Sequence, residues 1–538
     1  MAVNTIRTPF YNQLYQVYIT RPESLNSYLT SYQACNWAEL LNNIGKSAAI
    51  HNQVKKILIE QNADQSQPAA RYNIDALRNP HSVMVVTGQQ LGLFASPLYT
   101  VYKAITTIKL AQQLNSTFPD TPFVPVFWLE SEDHDFNEVN HIGIWDSQFN
   151  PLQLVYKGQD LGKTPLRYYN FSAEISILLD KIKNSLIPTE FSSSLWELIT
   201  DLYRVDQNWV ESTRLFLKYL LSSQGLLFFR PGAPAVKEIS ISFFENLLEN
   251  SDRIHSVFSA TSQDLQKQGY ANQVAVIEGK TYIHFENEDR QRDHLYRDSN
   301  YYYLKNSTKK FSLKEVREFI RQFPQRVSSS VISRPLWQSW LLPTAVYVAG
   351  PAEIAYWAQL GNLFAGLGLS RPVVYPRITA TIIEPKIARF IQKHQPDTEN
   401  IVVRKTDFIH EYFQHHSADH EETPLQQISA LFKEKESPIR DYLEKLDPTL
   451  VTVGEKVIER IQGQLDLLQD RVVYVREQKE NLLVAHLNQI HQAIFPEQQP
   501  QERYISIIYF LNKFGPETMQ KLYSGLQLDS VQHQLLYL

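Results

Sequence analysis

From Ser82 to Leu129 the chain reads as strand, helix, strand, and few folds accommodate that order at such close spacing. The run Ser82-Val-Met-Val-Val-Thr87 is continuous and rich in β-branched residues, and it stops at Gly88. A strand that is apolar on both faces belongs inside a parallel sheet covered by helices. Ser96-Pro97 resembles an N-cap followed by proline at the first helical position. The helix continues as LYTVYKAITTIKLAQQL, with an expected end near Asn115. A second apolar run, Phe123 to Leu129, completes a βαβ unit. Open sheets of this kind bind ligands outside the carboxyl ends of their strands. That rule puts Thr87-Gly88-Gln89-Gln90 and the stretch Glu130-Ser-Glu132-Asp133-His134-Asp135 on one rim.

The same rhythm recurs farther along. Leu226–Phe229 reads as another core strand, and Ala345–Ala349 is followed by Gly350-Pro351 and the helix AEIAYWAQLGNLF. A last strand, PVVYP, ends at Arg377. Between these lie segments without the parallel rhythm, 151–204 and 261–330, the second holding short β runs (QVAVIEG and TYIHFE) and a tyrosine-rich stretch. Residues 8–62 read as helical. From Ile378 to Phe495 the chain is nearly all helix. Ile458, Ile461, Leu465, Leu468, Val472, Val475 and Leu482 follow steps of three and four, and Leu483, Leu487, Ile490 and Ile494 continue after a one-residue phase shift. That is a coiled-coil seam with a small discontinuity. Residues 425–450 supply a candidate antiparallel partner, interrupted at Pro438.

Composition narrows the function classes. With net charge −5 over 538 residues and no markedly basic half, no nucleic-acid footprint is expected. The single cysteine, Cys35, excludes an intrachain disulfide framework and a multi-thiolate zinc site. No apolar run reaches membrane-spanning length, and the N-terminus lacks a basic region followed by an apolar core. The expectation is a cytoplasmic α/β enzyme without membrane contact.

Four constellations bear on chemistry. At Thr87-Gly88-Gln89-Gln90 a glycine turn entering a helix would offer backbone amides to an anion, with Tyr99, Tyr102 and Lys103 one to two turns on. The alternative is a tight turn that needs glycine only for its backbone. Asp133, His134 and Asp135, with Asn137, Glu138 and His141, could hold a divalent metal, orient an amine or exchange protons, or could form a solvated loop with helix caps. Arg334, Gly350, Glu353 and Tyr356 form a third group, with Arg334 able to grip a carboxylate or phosphate in two-pronged fashion. Arg377, at the end of PVVYP, is placed for an anionic ligand or for a surface ion pair. His410, His415, His416 and His420 look metal-like, but only His416 and His420 share a helical face, and no metal is assigned.

The segments VVTGQQLGLFASPLYTVYKAITTIKLA, PVFWLESEDHDFNEVNHI, RPLWQSWLLPTAVYVAGPAEIAYWAQL, YPR and QERYISIIYFLNKFG resemble the BshC family, the cysteine-adding enzymes of bacillithiol biosynthesis, in order along nearly the whole chain. The resemblance implies a Rossmann-like parallel-sheet core (1–150, 205–260 and 331–385), similar to nucleotidyltransferases and class I aminoacyl-tRNA synthetases. It implies two connecting-peptide insertions (151–204 and 261–330), a helical coiled coil (386–495) that mediates homodimerisation, and a C-terminal segment (496–538) packing on the core. The implied activity joins L-cysteine to glucosaminyl-malate as an amide. ATP or ADP is the implied nucleotide, and Lys386, Gln501, Arg503 and Tyr504 are the candidates to contact it. Where class I synthetases carry a histidine-rich turn this chain has Gln89-Gln90, and no KMSKS-like loop is visible.

On this reading Thr87, Gly88, Gln89, Gln90, Lys103 and Arg334 hold carboxylates or an activated carboxyl. Asp133, His134 and Asp135 position and deprotonate the amine, and Arg377 balances developing charge. Two other classes stay open: a metal-dependent hydrolase or transferase built on Asp133, His134, Asp135 and His141, and a non-catalytic dimeric protein that presents the glycoside to another enzyme.

Overall fold

The computed structural model describes residues 3–6, 11–46, 48–298, 301–305, 307, 309–403, 408–415 and 424–538. The chain divides into two compact units, residues 1–382 with 499–538, and residues 383–498.

Five parallel strands form the centre of the first unit: β1 (Val83–Gln90), β2 (Phe123–Glu130), β3 (Leu227–Phe229), β4 (Thr344–Ala349) and β5 (Val373–Pro376). Their spatial order is β5-β4-β1-β2-β3. The chain winds outward from β1 in one direction and then the other, so the strand order reverses between β1 and β4. A doubly wound Rossmann-like sheet opens its ligand crevice at that reversal. Helices α1 (Leu98–Thr117) and α2 (Pro351–Gly366) follow β1 and β4. The strands are apolar throughout because helices and loops cover both faces: Val85, Val86, Phe127, Trp128 and Val348 are fully buried. Trp128 stands edge-on to Trp337, ring centroids 5.3 Å apart, and leans on Phe229 at 5.1 Å.

Several local expectations change. β1 does not stop at Gly88: Gly88 pairs with Trp128 and Gln90 with Glu130, so Thr87-Gly88-Gln89-Gln90 is strand rather than a turn entering the helix. A side chain at Gly88 would press within 3.2 Å of the Trp128 carbonyl, which explains the glycine by close packing. The real turn is Leu91–Pro97, where Phe94 and Ala95 take left-handed backbone angles (φ 55° and 54°) and the Phe94 N–H donates to the Tyr203 hydroxyl at 3.1 Å. α1 starts at Leu98, one residue later than expected. Pro97 holds the cap position, and Ser96 Oγ pairs with Ser506 Oγ at 2.7 Å instead of capping. The expected helical stretch 8–62 is broken into Gln13–Thr20, Trp37–Gly45 and Ala48–Gln61; residues 8–10 and Ser47 lie outside the described part. Residues 273–279 form no strand, whereas Lys280–Glu286 does. It belongs to an antiparallel sheet with Arg292–Asp298, Tyr301–Leu304, Lys310–Phe311 and Val327–Ser329.

Val3–Ile6 pairs antiparallel with His533–Tyr537, which returns the C-terminal segment to the first unit. In the second unit Pro424–Leu446 and Thr449–Lys479 pack as a helical hairpin. Ser429 meets Gln462 and Arg440 meets Glu455, so the pairing runs antiparallel within the chain. Pro438 sits inside the first helix without ending it. His416 and His420 lie outside the described residues. Among the described residues no helix is long and apolar enough to cross a membrane.

Candidate functional site

A cavity of about 490 Å³ opens at the carboxyl ends of β1, β2 and β4 in the first unit, within the size range of small-molecule sites. Gly88, Gln89 and Gln90 enter it from β1, Glu130 from β2, Tyr99 and Lys103 from α1, and Gly350 and Glu353 from the start of α2.

Lys103 ties these ends together. Its ammonium donates to the Gly88 carbonyl and to Gln89 Oε1, both at 2.8 Å, and forms an ion pair with Glu353. Burial brings Lys103 down to about 8, and the Glu353 carboxylate works against that. Glu353 also accepts the Gly350 N–H and the Tyr347 hydroxyl, both at 2.7 Å. Burial raises its carboxyl, but Lys103 and these donors outweigh it and hold Glu353 ionised, below its ordinary value. Arg334 donates to Gln338 at 3.0 Å and to the hydroxyls of Tyr347 and Tyr356 at 3.2 and 2.9 Å. Its Nε is 3.7 Å from Glu130.

Asp133 lines the cavity and accepts from Gln90 Nε2 at 2.6 Å and from the His134 N–H at 2.7 Å. Burial pushes its carboxyl up, but Arg292 and these hydrogen bonds prevail, so Asp133 stays below the ordinary carboxylate value. His134 stands behind it, with Nδ1 3.3 Å from the Arg292 guanidinium; burial and that cation hold its pKa down. Asp135 is exposed and caps the short helix Phe136–Val139 through the Glu138 N–H. The structure therefore brings Gly88, Gln89, Gln90, Tyr99, Lys103, Asp133, Arg334, Gly350, Glu353, Tyr356 and Arg377 to one cavity, and leaves Thr87, His134 and Asp135 outside its lining. Thr87 is committed to the sheet, its hydroxyl donating to the Val348 carbonyl at 2.9 Å.

Arg377 is not a loose cation. It meets Glu502 through two hydrogen bonds of 3.0 and 2.6 Å, both side chains being almost wholly buried. Of the four nucleotide candidates, Arg503 lines this cavity, its guanidinium 5.8 Å from the Tyr99 ring. Gln501 instead brackets the Ile382 backbone, accepting at 2.8 Å and donating at 2.9 Å. Tyr504 is buried and does not line the cavity. Lys386 belongs to the second unit, where its ammonium lies 5.6 Å from the Phe390 ring.

The antiparallel sheet contributes residues that the strand-end rule does not reach: Lys280, Tyr282, His284, Arg292 and His294. Lys280, Tyr282 and His284 alternate in the sequence, but a register shift between Lys280 and His284, with Tyr282 at φ 64°, interrupts the regular strand, and all three nonetheless line the cavity. His284 Nδ1 is 3.2 Å from the Ser329 carbonyl, which only accepts, so that nitrogen carries the proton. His284 Nε2 is then bare and accepts from His294 Nε2 at 3.0 Å. His294 Nδ1 is left as a buried acceptor without a partner among the described residues. Burial, helped by Lys280 and Arg292, brings His294 down to about 3, so it is neutral. Lys280 has no carboxylate partner among the described residues, and its ammonium lies 3.4 Å from His294 Nε2. Behind the rim, Glu132 joins Lys237 and Arg167, and Arg167 joins Glu286, in a buried ionic cluster.

Among the described residues no three His, Cys, Asp or Glu side chains converge as a metal site. Asp133 is occupied by Gln90 and Arg292, and His141 Nδ1 by the Asn137 carbonyl at 3.2 Å.

Residues 1–378 match the family model described as the N-terminal Rossmann-like domain of bacillithiol biosynthesis BshC. Residues 380–538 match the model for its C-terminal coiled-coil domain. Among curated proteins, one from Desulforamulus reducens is 29% identical over 466 residues, covering 87% of this chain and 86% of the relative. One from Geobacillus sp. (strain WCH70) is 30% identical over 480 residues, covering 87% and 86%. One from Anoxybacillus flavithermus is 26% identical over 543 residues, with both chains covered completely. All three carry the name "Putative cysteine ligase BshC".

Proposed function

The chain belongs to the BshC family of bacillithiol biosynthesis, and from that membership we propose that it is a cytoplasmic carbon–nitrogen ligase that joins L-cysteine to the amine of glucosaminyl-malate. The observation that carries this reading is the cavity at the strand reversal, which combines cations lacking carboxylate partners with ionised and protonatable carboxyl groups. Lys280 and Arg503 suit the malate carboxylates, and Gln89 and Gln90 supply neutral contacts. Asp133, kept ionised, attracts and orients the substrate ammonium, with His134 and Asp135 supporting its loop. Lys103 and Arg334 hold the strand ends and the phenols in place around the reacting groups.

Condensing a carboxylate with an ammonium is unfavourable in water, so ATP supplies activation, by way of an acyl phosphate or an acyl adenylate. Arg503 is the nucleotide candidate in the best position to serve that step. The helical hairpin of the second unit exposes Leu431, Tyr442 and Leu467, which fits a homodimer contact.

Purified protein incubated with L-cysteine, glucosaminyl-malate and ATP, read by thiol labelling and mass spectrometry, is expected to form the amide only when all three are present. Absence of product while glucosaminyl-malate still binds would refute the ligase reading in favour of a substrate-presenting protein.

A further inference from the structure

Four carboxyl groups line the cavity: Glu130, Asp133, Glu138 and Glu353. Asp133 and Glu353 are committed to donors and cations that keep them ionised and weakly basic. Glu138 sits on the exposed side of the short helix after β2; partial burial raises its carboxyl above the ordinary value, with the Gln90 amide working against that. Glu130 differs from all three. It ends β2, its side chain is only 19% exposed, and its Oε2 takes a single hydrogen bond, from Trp128 Nε1 at 3.2 Å. Arg334 lies at 3.7 Å, beyond hydrogen-bond reach, and Oε1 has no partner among the described residues.

We infer that Glu130 is the base that takes the proton from the substrate amine, an inference that rests on the ligase reading above. An ammonium has no lone pair, so the amine must lose one proton before it attacks. The Glu130 carboxylate accepts that proton and becomes a carboxylic acid. The nitrogen lone pair then forms the C–N bond to the activated acyl carbon of cysteine. The leaving group departs with its bonding pair, the second N–H proton passes to water, and the amide remains. The charged and titratable groups around Glu130 are Arg334 from the helix Ser333–Leu341, Arg292 from the antiparallel sheet, Asp133 and Glu132 from the loop that follows it, and Tyr356 from α2. Burial raises Glu130 to about 7 against the pull of Arg334, so both of its forms are populated at neutral pH. A base poised near the working pH is the effective one.

Glu130→Gln keeps the shape and the bond from Trp128 but cannot take a proton. Turnover is expected to fall on the order of a hundredfold or more, while glucosaminyl-malate still binds. Titration calorimetry at pH 7 in two buffers of different ionisation heat gives a readout independent of turnover. The wild type should release a fraction of a proton on binding glucosaminyl-malate, because a neighbouring ammonium favours the carboxylate. E130Q should lack that release, and Glu130→Asp should retain it. Turnover of E130Q near the wild-type rate, or equal proton release in E130Q and wild type, overturns the assignment. If the wild type makes no amide at all, the ligase reading fails, and the proton balance still decides whether Glu130 answers the bound amine.

Discussion

Replacing Glu130 with glutamine also removes a carboxyl whose burial makes folding depend on pH. In the folded protein it sits at about 7, raised by burial from an ordinary 4.5, with Arg334 opposing the rise. Below pH 4.5 the group is protonated in both folded and unfolded chains and has no effect. Between 4.5 and 7 the unfolded chain ionises while the folded one keeps its proton, so stability declines as pH rises. Above 7 both are ionised and the loss levels off. At 1.36 kcal/mol per pH unit the plateau is about 3 kcal/mol. Glutamine does not titrate, so the stability difference between E130Q and wild type should grow by about 2–3 kcal/mol from pH 5 to pH 8, with any fixed packing loss cancelling. For a unit of roughly 400 residues, with an unfolding entropy near 2.1 cal/mol/K per residue, that is about 3 °C in melting temperature. Scanning calorimetry of the first unit's transition across that range reads it directly. A difference that stays flat from pH 5 to pH 8 would show Glu130 titrating as an ordinary carboxyl, and its role as a base would go with it.

Arg377→Met should destabilise the first unit by about 3–5 kcal/mol, because Glu502 is left buried without its counter-ion. A preserved melting temperature with a large rise in KM would instead return Arg377 to ligand binding. Lys280→Gln and Arg503→Gln should each raise KM for glucosaminyl-malate on the order of tenfold, through loss of one charge-assisted hydrogen bond, with melting unchanged. Unaltered KM in both would move the malate group elsewhere. Leu431→Glu combined with Leu467→Glu should convert a dimer to a monomer in light scattering, since both leucines are exposed on the hairpin. An unchanged molar mass would exclude that face as the interface.

The parallel sheet was legible because burial on both faces leaves an uninterrupted apolar run, as at Val83–Val86, Phe123–Leu129 and Ala345–Ala349. The strand-end rule brought Gln89, Gln90 and Asp133 to one rim, and Gly350 and Glu353 line the same cavity. What escaped was pairing over long separations. Gly88 read as a turn because its partner, Trp128, lies forty residues away. Asp135 read as chemistry, yet its carboxylate serves the N–H three residues on, a capping role that the same residues permit. Lys280, His284, Arg292 and His294 were hidden because they reach the cavity from a sheet with no parallel rhythm of its own. Glu130 was visible within the acidic stretch but could not be separated from Glu132: two residues apart they would share one face of an extended strand, and it is the end of the strand at Glu130 that lets Glu132 turn to the ionic cluster with Lys237 and Arg167.

That last distinction bears on how such a site works. Opposite charges that are buried together hold geometry but lose their capacity to respond to a ligand, because each has already exchanged its water for the other. Lys103 with Glu353, Arg377 with Glu502, and Glu132 with Lys237 and Arg167 are of that kind. They fasten α1 to α2, the end of β5 to the C-terminal segment, and the end of β2 to its surroundings. The groups left over are few and of two sorts: Lys280 and Arg503, without carboxylate partners among the described residues, and Glu130, with one hydrogen bond and a distant guanidinium. A frame whose charges are mutually satisfied can hold these few unsatisfied ones at fixed positions, where the proposed substrate, with two carboxylates and an ammonium, would complete them. Arg377 illustrates the cost of judging by position alone: a cation at a strand end suggests an anionic ligand until its carboxylate arrives from 125 residues later in the chain.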